Sequence, residues 1–316
     1  MKFNMKSKIL LSCLVLCFLS IIFYIRYRNE NKMLVSPLTP AEKILADWIK
    51  KEKQEEFWHP PTMPDNYHQD QIVIEAKSSL AINLTENKIL FAKNANTVHA
   101  IASLTKIMTA CLGLELASPE TEMLVSENAV QDGEASMNLI AGEKLKMEEL
   151  LYGLFLVSGN DAANVIAENI GGRKNTFVAL MNEKAKILNL KQTEFYNPHG
   201  LDENNTPPNQ STAYELATLT YYALNHYPKI RQIVKTKEIV FPAETNHQEY
   251  HLVNVLGLEK TYPGMIGVKP GNTEKAGYCL IGLLKKNNQE ILTVLLDSPN
   301  PKEEVKKLFN YSCSFL

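Results

Sequence analysis

The stretch Ala102-Ser103-Leu104-Thr105-Lys106-Ile107-Met108-Thr109 holds a Ser-x-x-Lys pattern that occurs once in the chain of 316 residues. Apolar side chains then recur with helical spacing through Leu112, so the stretch predicts a helix that begins near Ser103. Because residues i and i+3 of a helix share a face, the Lys106 amine comes within reach of the Ser103 hydroxyl. Such a lysine can activate the serine as a nucleophile if burial or another cation lowers its pKa. The alternative interpretation is a helix-capping serine beside a solvated lysine.

Strand patterns lie on either side of a long helical region and predict how the chain is organised. The strand-like runs are 72–74, 80–84, 88–91, 239–241, 251–255, 265–269, 278–284 and 291–296. The helical patterns are 145–171, 174–190, 212–225 and 301–309. The sequence therefore predicts an α/β (α+β) fold in which both chain ends build one sheet and a helical lobe is inserted between them.

A second polar motif, Ser158-Gly159-Asn160-Asp161, stands between two apolar helical runs. A polar turn between buried helices can direct a hydroxyl and an amide into a cleft. The same residues also suit a plain helix–helix turn in which Asn160 or Asp161 caps the second helix.

A third motif, Lys269-Pro270-Gly271-Asn272-Thr273, ends an apolar strand. A cation beside a glycine on an edge strand can hold a substrate carboxylate, because the glycine lets the backbone come close. A charged hairpin end is the alternative for this motif taken alone.

In this order the three motifs resemble the signature of the penicillin-recognising serine acyltransferases: Ser-x-x-Lys, Ser-x-Asn and Lys-Thr-Gly. From about Ile72 to Asp297 the chain is most similar to low-molecular-mass penicillin-binding proteins, the D-alanyl-D-alanine carboxypeptidases. The matching words are Ala102 to Thr109, Ser158 to Ala163, Asn197 to Leu201, Ser211 to Ala213, Tyr262 to Gly264, and Gly267 to Lys269. The resemblance implies a β-lactamase/transpeptidase-like fold with an antiparallel sheet flanked by helices.

The resemblance also implies a role for each matching residue. The predicted catalytic residues are Ser103 as the acylated nucleophile, Lys106 as its base, and Ser158 as a proton relay. The predicted substrate-binding residues are Asn160, Lys269, Gly271, Asn272 and Thr273. Lys269 and Thr273 would meet the substrate carboxylate, and Asn160 would relay protons and hold the substrate amide. The backbone N–H groups of Ser103 and Asn272 would form the oxyanion hole.

The implied activity is that of a serine-type carboxypeptidase, which removes the terminal D-Ala from peptidoglycan stem peptides through an acyl-enzyme. β-Lactam antibiotics would be covalent inhibitors, and neither a cofactor nor a metal is expected.

Pro270 replaces the threonine of Lys-Thr-Gly, so a weakly active or inactive muropeptide- or penicillin-binding relative is one alternative. A β-lactamase is another, but that class needs Glu-x-x-Leu-Asn after the second motif. The chain offers Glu194-Phe195-Tyr196-Asn197 instead.

Composition excludes one further class of partner. The chain has 33 basic and 35 acidic side chains, and its net charge of −2 gives no general electrostatic reason to bind nucleic acid.

The N-terminus differs in composition from the rest of the chain. The run 9–25 carries no charged side chain and matches the short end of what spans a bilayer, about 17–25 residues. It ends in bulky residues, whereas a signal-peptide cleavage site needs small ones, so an uncleaved signal anchor is predicted. The predicted segments are a cytoplasmic tail (1–8), a transmembrane helix (9–25), a polar juxtamembrane spacer (26–69) and a penicillin-binding carboxypeptidase domain (70–316). The protein is thus expected in the cytoplasmic (inner) membrane as a single-pass protein, with its domain on the extracytoplasmic, periplasmic side.

Overall fold

The computed structural model describes residues 57–62, 67–68, 71–131 and 133–316, which belong to one compact unit beginning at residue 56. The predicted tail and transmembrane helix lie outside the described residues. Within the described ranges, no helix combines the length and the apolar character needed to cross a bilayer.

The secondary-structure elements are numbered along the chain. The strands are β1 (Ser78–Asn83), β2 (Lys88–Lys93), β3 (His99–Ala100), β4 (Glu122–Leu124), β5 (Lys144–Lys146), β6 (Gln210–Ser211), β7 (Glu238–Phe241), β8 (Tyr250–Val253), β9 (Met265–Thr273), β10 (Gly277–Lys286) and β11 (Gln289–Ser298). The helices are α1 (Lys106–Leu116), α2 (Met147–Leu156), α3 (Asn160–Gly171), α4 (Lys174–Ile187), α5 (Ala213–His226), α6 (Pro228–Val234), α7 (Leu258–Thr261) and α8 (Pro301–Cys313).

The main sheet has five strands in the order β2-β1-β11-β10-β9, and every neighbouring pair is antiparallel. Two strands come from the start of the domain and three from its end, so the prediction of one sheet built from both chain ends is confirmed. The helices α1 to α6 lie between these strands in the sequence, as predicted for the inserted lobe. Strand β9 is last in this order and pairs only with β10, so it is an edge strand of the sheet. This edge faces the lobe.

Helix α8 covers one face of the sheet. Leu280 and Leu295, which are cross-strand partners, share a buried cluster with Phe309 of α8. A Cβ atom at Gly282 would lie 3.0 Å from Phe309 Cζ, so a glycine in the middle of β10 permits this close approach.

Helix α1 forms the centre of the lobe. It contacts α2, α3, α4 and α5, and its residues from Lys106 to Gly113 are buried. The turn that precedes it, Ala102–Thr105, packs against β9. The lobe and the edge strand therefore meet at the start of α1, and this places the Ser-x-x-Lys motif at their junction.

The predicted strand at 72–74 is wrong. The backbone N–H groups of Glu75 and Ala76 donate to the Glu304 carboxylate of α8, at 2.9 Å for Ala76. The Lys93 ammonium donates to the carbonyl oxygens of Ile74 and Ala76. Side chains thus satisfy the backbone here in place of a neighbouring strand, and β1 begins at Ser78.

Part of the predicted spacer packs on the domain. The Trp58 ring stacks on Tyr221 of α5 with centroids 4.1 Å apart, and its N–H donates to Asn87 at 3.0 Å. The Tyr214 hydroxyl donates to the carbonyl oxygen of Pro60. The folded unit therefore includes residues that the sequence analysis assigned to the spacer 26–69, and it begins before the predicted boundary at residue 70.

Candidate active site

Ser103 lies in a tight turn at the start of α1. The residue before it, Ala102, has φ +45°, a left-handed conformation that costs energy for a residue with a side chain. The Thr105 hydroxyl donates to the Ala102 carbonyl oxygen at 2.7 Å and stabilises this turn. The predicted helix start near Ser103 is confirmed, with a short 3₁₀ turn ahead of the α-helix.

The Lys106 amine is fully buried among neutral partners. Its Nζ lies 2.9 Å from Ser103 Oγ, 2.8 Å from Asn160 Oδ1 and 2.7 Å from the carbonyl oxygen of His199. Burial, and secondly the charge of Lys269, hold the pKa of Lys106 well below its usual range, although Asp161 and Glu134 partly oppose this. A neutral amine at this distance can accept the Ser103 proton, which is the condition that the sequence analysis set.

The Ser158-Gly159-Asn160 turn joins α2 to α3. Ser158 has φ +61° and is 9% exposed, and Asn160 is almost fully buried. The Asn160 side-chain NH₂ donates to the carbonyl oxygen of Gly133 at 3.0 Å, which leaves its oxygen facing Lys106. The second motif therefore completes the surroundings of the lysine and is more than a plain helix–helix turn.

The third motif lies on the edge strand β9, which extends to Thr273, beyond the predicted end at Lys269. Lys269 is fully buried, and burial lowers the pKa of its side chain to about 7. A Cβ atom on Gly271 would lie 2.9 Å from the Ser103 nitrogen, so glycine is required where β9 passes Ser103. Pro270 belongs to this edge strand, where a missing N–H is tolerated.

One cleft of about 560 Å³ brings four of the eight predicted site residues together at its lining: Ser103, Ser158, Gly271 and Asn272. Pro270 also lines it. The buried amines of Lys106 and Lys269 lie behind this lining. Thr273 lines a separate cavity of about 570 Å³ with several acidic residues, and its hydroxyl accepts the backbone N–H of Ala276 at 3.2 Å.

The sequence analysis did not predict a role for Asn209. This buried residue links the turn that holds Ser103 to the loop 197–201. The Asn209 NH₂ donates to Thr105 Oγ1 and to the carbonyl oxygen of Asn197, both at 2.9 Å. Its oxygen accepts the backbone N–H of Tyr196 at 2.6 Å. No spacing or periodicity marks Asn209, because its partners come from two distant segments. The contact of the His199 carbonyl oxygen with Lys106 was not predicted for a different reason. Every residue has a backbone carbonyl, so the residue type at this position does not indicate the contact.

The described part of the chain contains no group of His, Cys, Asp and Glu side chains arranged to hold a metal ion. Cys111 and Cys279 are buried free thiols, and burial raises the pKa of both.

Comparison with known proteins places this geometry in a family. Residues 65–300 match the family described as D-alanyl-D-alanine carboxypeptidase. The carboxypeptidase DacF of Bacillus subtilis is 36% identical over 258 residues, which cover 79% of this chain and 65% of DacF. DacD of Escherichia coli is 30% identical over 252 residues, covering 75% of this chain and 63% of DacD. The chain thus spans slightly less than two thirds of the length of these curated relatives.

Solved structures share the fold. A DD-transpeptidase from Streptomyces superimposes with a TM-score of 0.71 at 28% identity, covering 77% of this chain and 98% of that one. A D-alanyl-D-alanine carboxypeptidase DacD from Francisella tularensis gives a TM-score of 0.70 at 26% identity, covering 80% and 74%. The α/β fold of penicillin-binding proteins and transpeptidases, implied by the sequence motifs, is confirmed. The chain belongs to the D-alanyl-D-alanine carboxypeptidase family.

Proposed function

We propose that this protein is a serine-type D-alanyl-D-alanine carboxypeptidase that removes the terminal D-Ala from peptidoglycan stem peptides through an acyl-enzyme. The observation that carries the proposal is the contact of 2.9 Å between Ser103 Oγ and the buried Lys106 amine, at the wall of an open cleft. Family membership supplies the substrate class.

In the acylation step, the neutral Lys106 amine takes the Ser103 proton while Oγ attacks the carbonyl carbon of the penultimate D-Ala. The backbone N–H groups of Ser103 and Asn272 stabilise the oxyanion. The C–N bond then breaks, and the departing amine receives the proton from Lys106, with Ser158 as relay. In the second step a water attacks the ester, Lys106 accepts its proton, and Ser103 leaves with a proton restored.

Substrate binding is assigned to β9 and Asn160. The substrate carboxylate would lie near Lys269, and Gly271 lets the strand pass close to it. The Thr273 hydroxyl would have to reach the carboxylate from the neighbouring cavity that Thr273 lines. With the pKa of Lys269 lowered to about 7, an arriving carboxylate favours its protonated form and pairs with it. Asn160 holds the substrate amide and takes part in the proton relay.

Pro270 favours one second candidate, a relative that binds muropeptides or penicillin but turns over slowly. Pro270 brings neither a hydroxyl nor an N–H to the strand that grips the carboxylate. A β-lactamase is a weaker alternative, since Glu194 pairs through its backbone with Gln210 and does not line the cleft.

We also propose that residues 9–25 anchor the protein in the cytoplasmic membrane with the catalytic domain outside. The uncharged run and its bulky end support this. Protease added to intact spheroplasts should trim the domain and leave an N-terminal membrane stub. A mature protein that begins after residue 25 would contradict the anchor.

The proposed function is tested by intact-mass spectrometry of the full chain after exposure to penicillin, together with an assay for D-Ala release from a D-Ala-D-Ala peptide. A stable adduct on Ser103, slow deacylation and D-Ala release support the carboxypeptidase. An adduct without D-Ala release, or no adduct, supports the binding relative, whereas rapid penicillin hydrolysis supports the β-lactamase. Ser103→Ala is the control and should abolish labelling.

A further inference from the structure

We propose that Asp161 is a positioning residue of the active site: it holds the 133–139 loop against Asn160 and thereby fixes the Asn160 amide against Lys106. The inference rests on the proposed function, in which Lys106 is the base that activates Ser103.

The Asp161 carboxylate is the anchor of the 133–139 loop. The side chain is 1% exposed and lies in the first turn of α3. Its Oδ2 accepts the Ser136 hydroxyl at 2.6 Å and the Leu139 N–H at 3.1 Å. Its Oδ1 accepts the Met137 N–H at 2.9 Å. Hydrogen bonds to a buried carboxylate are among the stronger ones in proteins, so this residue determines where the loop lies.

The loop in turn grips Asn160 at two points. The Asn160 backbone N–H donates to the carbonyl oxygen of Ala135 at 2.9 Å, and its side-chain NH₂ donates to that of Gly133 at 3.0 Å. The second bond decides which end of the amide faces Lys106. With NH₂ directed at Gly133, the oxygen points at the Lys106 amine, 2.8 Å away.

Releasing the loop would free the amide to rotate. Asn160 would then present its NH₂ to Lys106, and two donors would face each other in a buried site. Lys106 would turn away from Ser103, and the substrate amide would lose its holder. Asp161 is not among the residues that line the cleft, so its effect on the geometry of the site passes through the loop and Asn160.

Asp161 also carries charge, which gives the inference a second signature. The charged groups that act on Lys106 are Lys269 from β9, Asp161 from α3 and Glu134 from the loop. The loop 197–201 faces it with the His199 carbonyl oxygen, while the His199 ring accepts the Leu201 N–H. Because Asp161 raises the pKa of Lys106, removing its charge lowers that pKa and moves the acid limb of acylation to lower pH.

The test compares the full chain with Asp161→Asn in the rate of acylation by penicillin, measured across pH. We expect the acylation rate to fall about ten- to hundredfold, because hydrogen bonds to a charged group contribute free energy that corresponds to such a factor. The midpoint of the acid limb should shift to lower pH. Hydrogen exchange of the 133–139 backbone should become faster, a readout that does not depend on activity.

Glu215→Gln is the matched control. Glu215 is likewise a buried carboxylate in the first turn of a helix, and it accepts the Gln192 N–H at 3.0 Å and the Thr193 hydroxyl at 2.6 Å. Its partners do not line the cleft. Glu215→Gln should lose about as much stability as Asp161→Asn. Its folded fraction should keep the wild-type acylation rate and the wild-type midpoint of the acid limb.

If Asp161→Asn does not fold, Ser136→Ala replaces it as the test variant. It removes one donor to the carboxylate, so a smaller decrease in acylation, about two- to tenfold, is expected. The inference is overturned if the folded variants acylate at the wild-type rate, or if Asp161→Asn and Glu215→Gln slow acylation equally without moving the acid limb. A wild-type protein that penicillin does not acylate would instead overturn the proposed function, while the exchange experiment would still test the hold on the loop.

Discussion

Two buried lysines lie at opposite ends of helix α1, and their surroundings differ: Lys106 is its first residue, and Lys184 of α4 pairs with Glu115 near its last turn. Lys106 and Lys184 are both fully buried. Lys184 forms an ion pair of 2.7 Å with Glu115 at the far end of α1, and its Nζ lies 4.3 Å from the centre of the Tyr222 ring. Lys106 is surrounded by neutral oxygens and has the cation Lys269 nearby.

The difference shows what a buried lysine needs in order to become a base. A carboxylate beside the amine favours its charged form, which cannot accept a proton, and such a pair contributes structure. Burial without a carboxylate in an ion pair, together with a nearby cation, favours the neutral form, which can accept one. Lys106 and Lys184 are equally buried, so the charged groups beside each amine distinguish the proposed base from the ion-paired lysine.

The largest expected effect comes from Lys106→Met, which removes the amine and retains a long side chain. Acylation by penicillin should fall by about 10²- to 10⁴-fold, the usual contribution of a general base. The free energy of unfolding should fall by about 1–3 kcal/mol, because the buried oxygens of Asn160 and His199 lose the amine as a donor. Stopped-flow or mass-spectrometric acylation rates measure it, and acylation at the wild-type rate would show that another group is the base.

Lys184→Met is the same substitution at the structural lysine and should do the opposite. It leaves the buried Glu115 carboxylate without its cation, with the hydroxyls of Tyr222 and Tyr227 still donating to it, so the free energy of unfolding should drop by about 3–5 kcal/mol. The folded fraction should still acylate at nearly the wild-type rate. Urea denaturation measures the loss, and adding Glu115→Gln should restore part of it. If the single variant is as stable as wild type, the ion pair does not hold α1.

Pro270→Thr extends the comparison to a third buried lysine, Lys269. The Lys269 Nζ donates to the carbonyl oxygen of Pro270 at 3.3 Å. A threonine hydroxyl would add a donor near the substrate carboxylate. We expect kcat/KM on a D-Ala-D-Ala peptide to rise about ten- to hundredfold, from one added hydrogen bond to a charged group. Unchanged or lower activity in steady-state assays would make the proline a functional adaptation.

The smallest effect concerns the pH dependence of stability. The pKa of Lys269 is lowered to about 7 in the folded protein, whereas in the unfolded chain it is about 10.4. Between these values the unfolded state binds more protons, so this residue makes stability rise with pH, by up to about 1.4 kcal/mol per unit. The gain is absent below pH 7, where both states are protonated.

Lys269→Met should therefore reduce the slope of unfolding free energy against pH between 7 and 10. Urea denaturation at several pH values measures it. Because the charge of Lys269 also lowers the pKa of Lys106, the difference between the two slopes reports Lys269 together with its effect on Lys106, and both reduce the slope when Lys269 is removed. Parallel curves would mean that Lys269 is not desolvated as the structure indicates.

The sequence predicted the elements with strong periodicity. The three sheet strands at the end of the chain, the β1–β2 hairpin and α1 were found because alternation and helical spacing are local properties. The run 72–74 was misassigned because its apolar residues looked like a strand, while the partners of its backbone, Glu304 and Lys93, lie far away in the sequence. The short helix α6 was not predicted, since Pro228 to Val234 is too brief to show a period.

By itself, the sequence determined the family and predicted the reacting residues, because Ser103, Lys106, Ser158, Asn160 and Lys269 lie in short motifs whose order is legible along the chain. Only the tertiary structure buries Lys106 and Lys269 so that their pKa values are lowered, orients the Asn160 amide, and brings Asn209 and Asp161 against their partners. The physical reason is that a pKa and a hydrogen-bond direction depend on what lies within a few ångströms in space. In this fold those neighbours come from β9, α3 and two loops that are distant in the sequence.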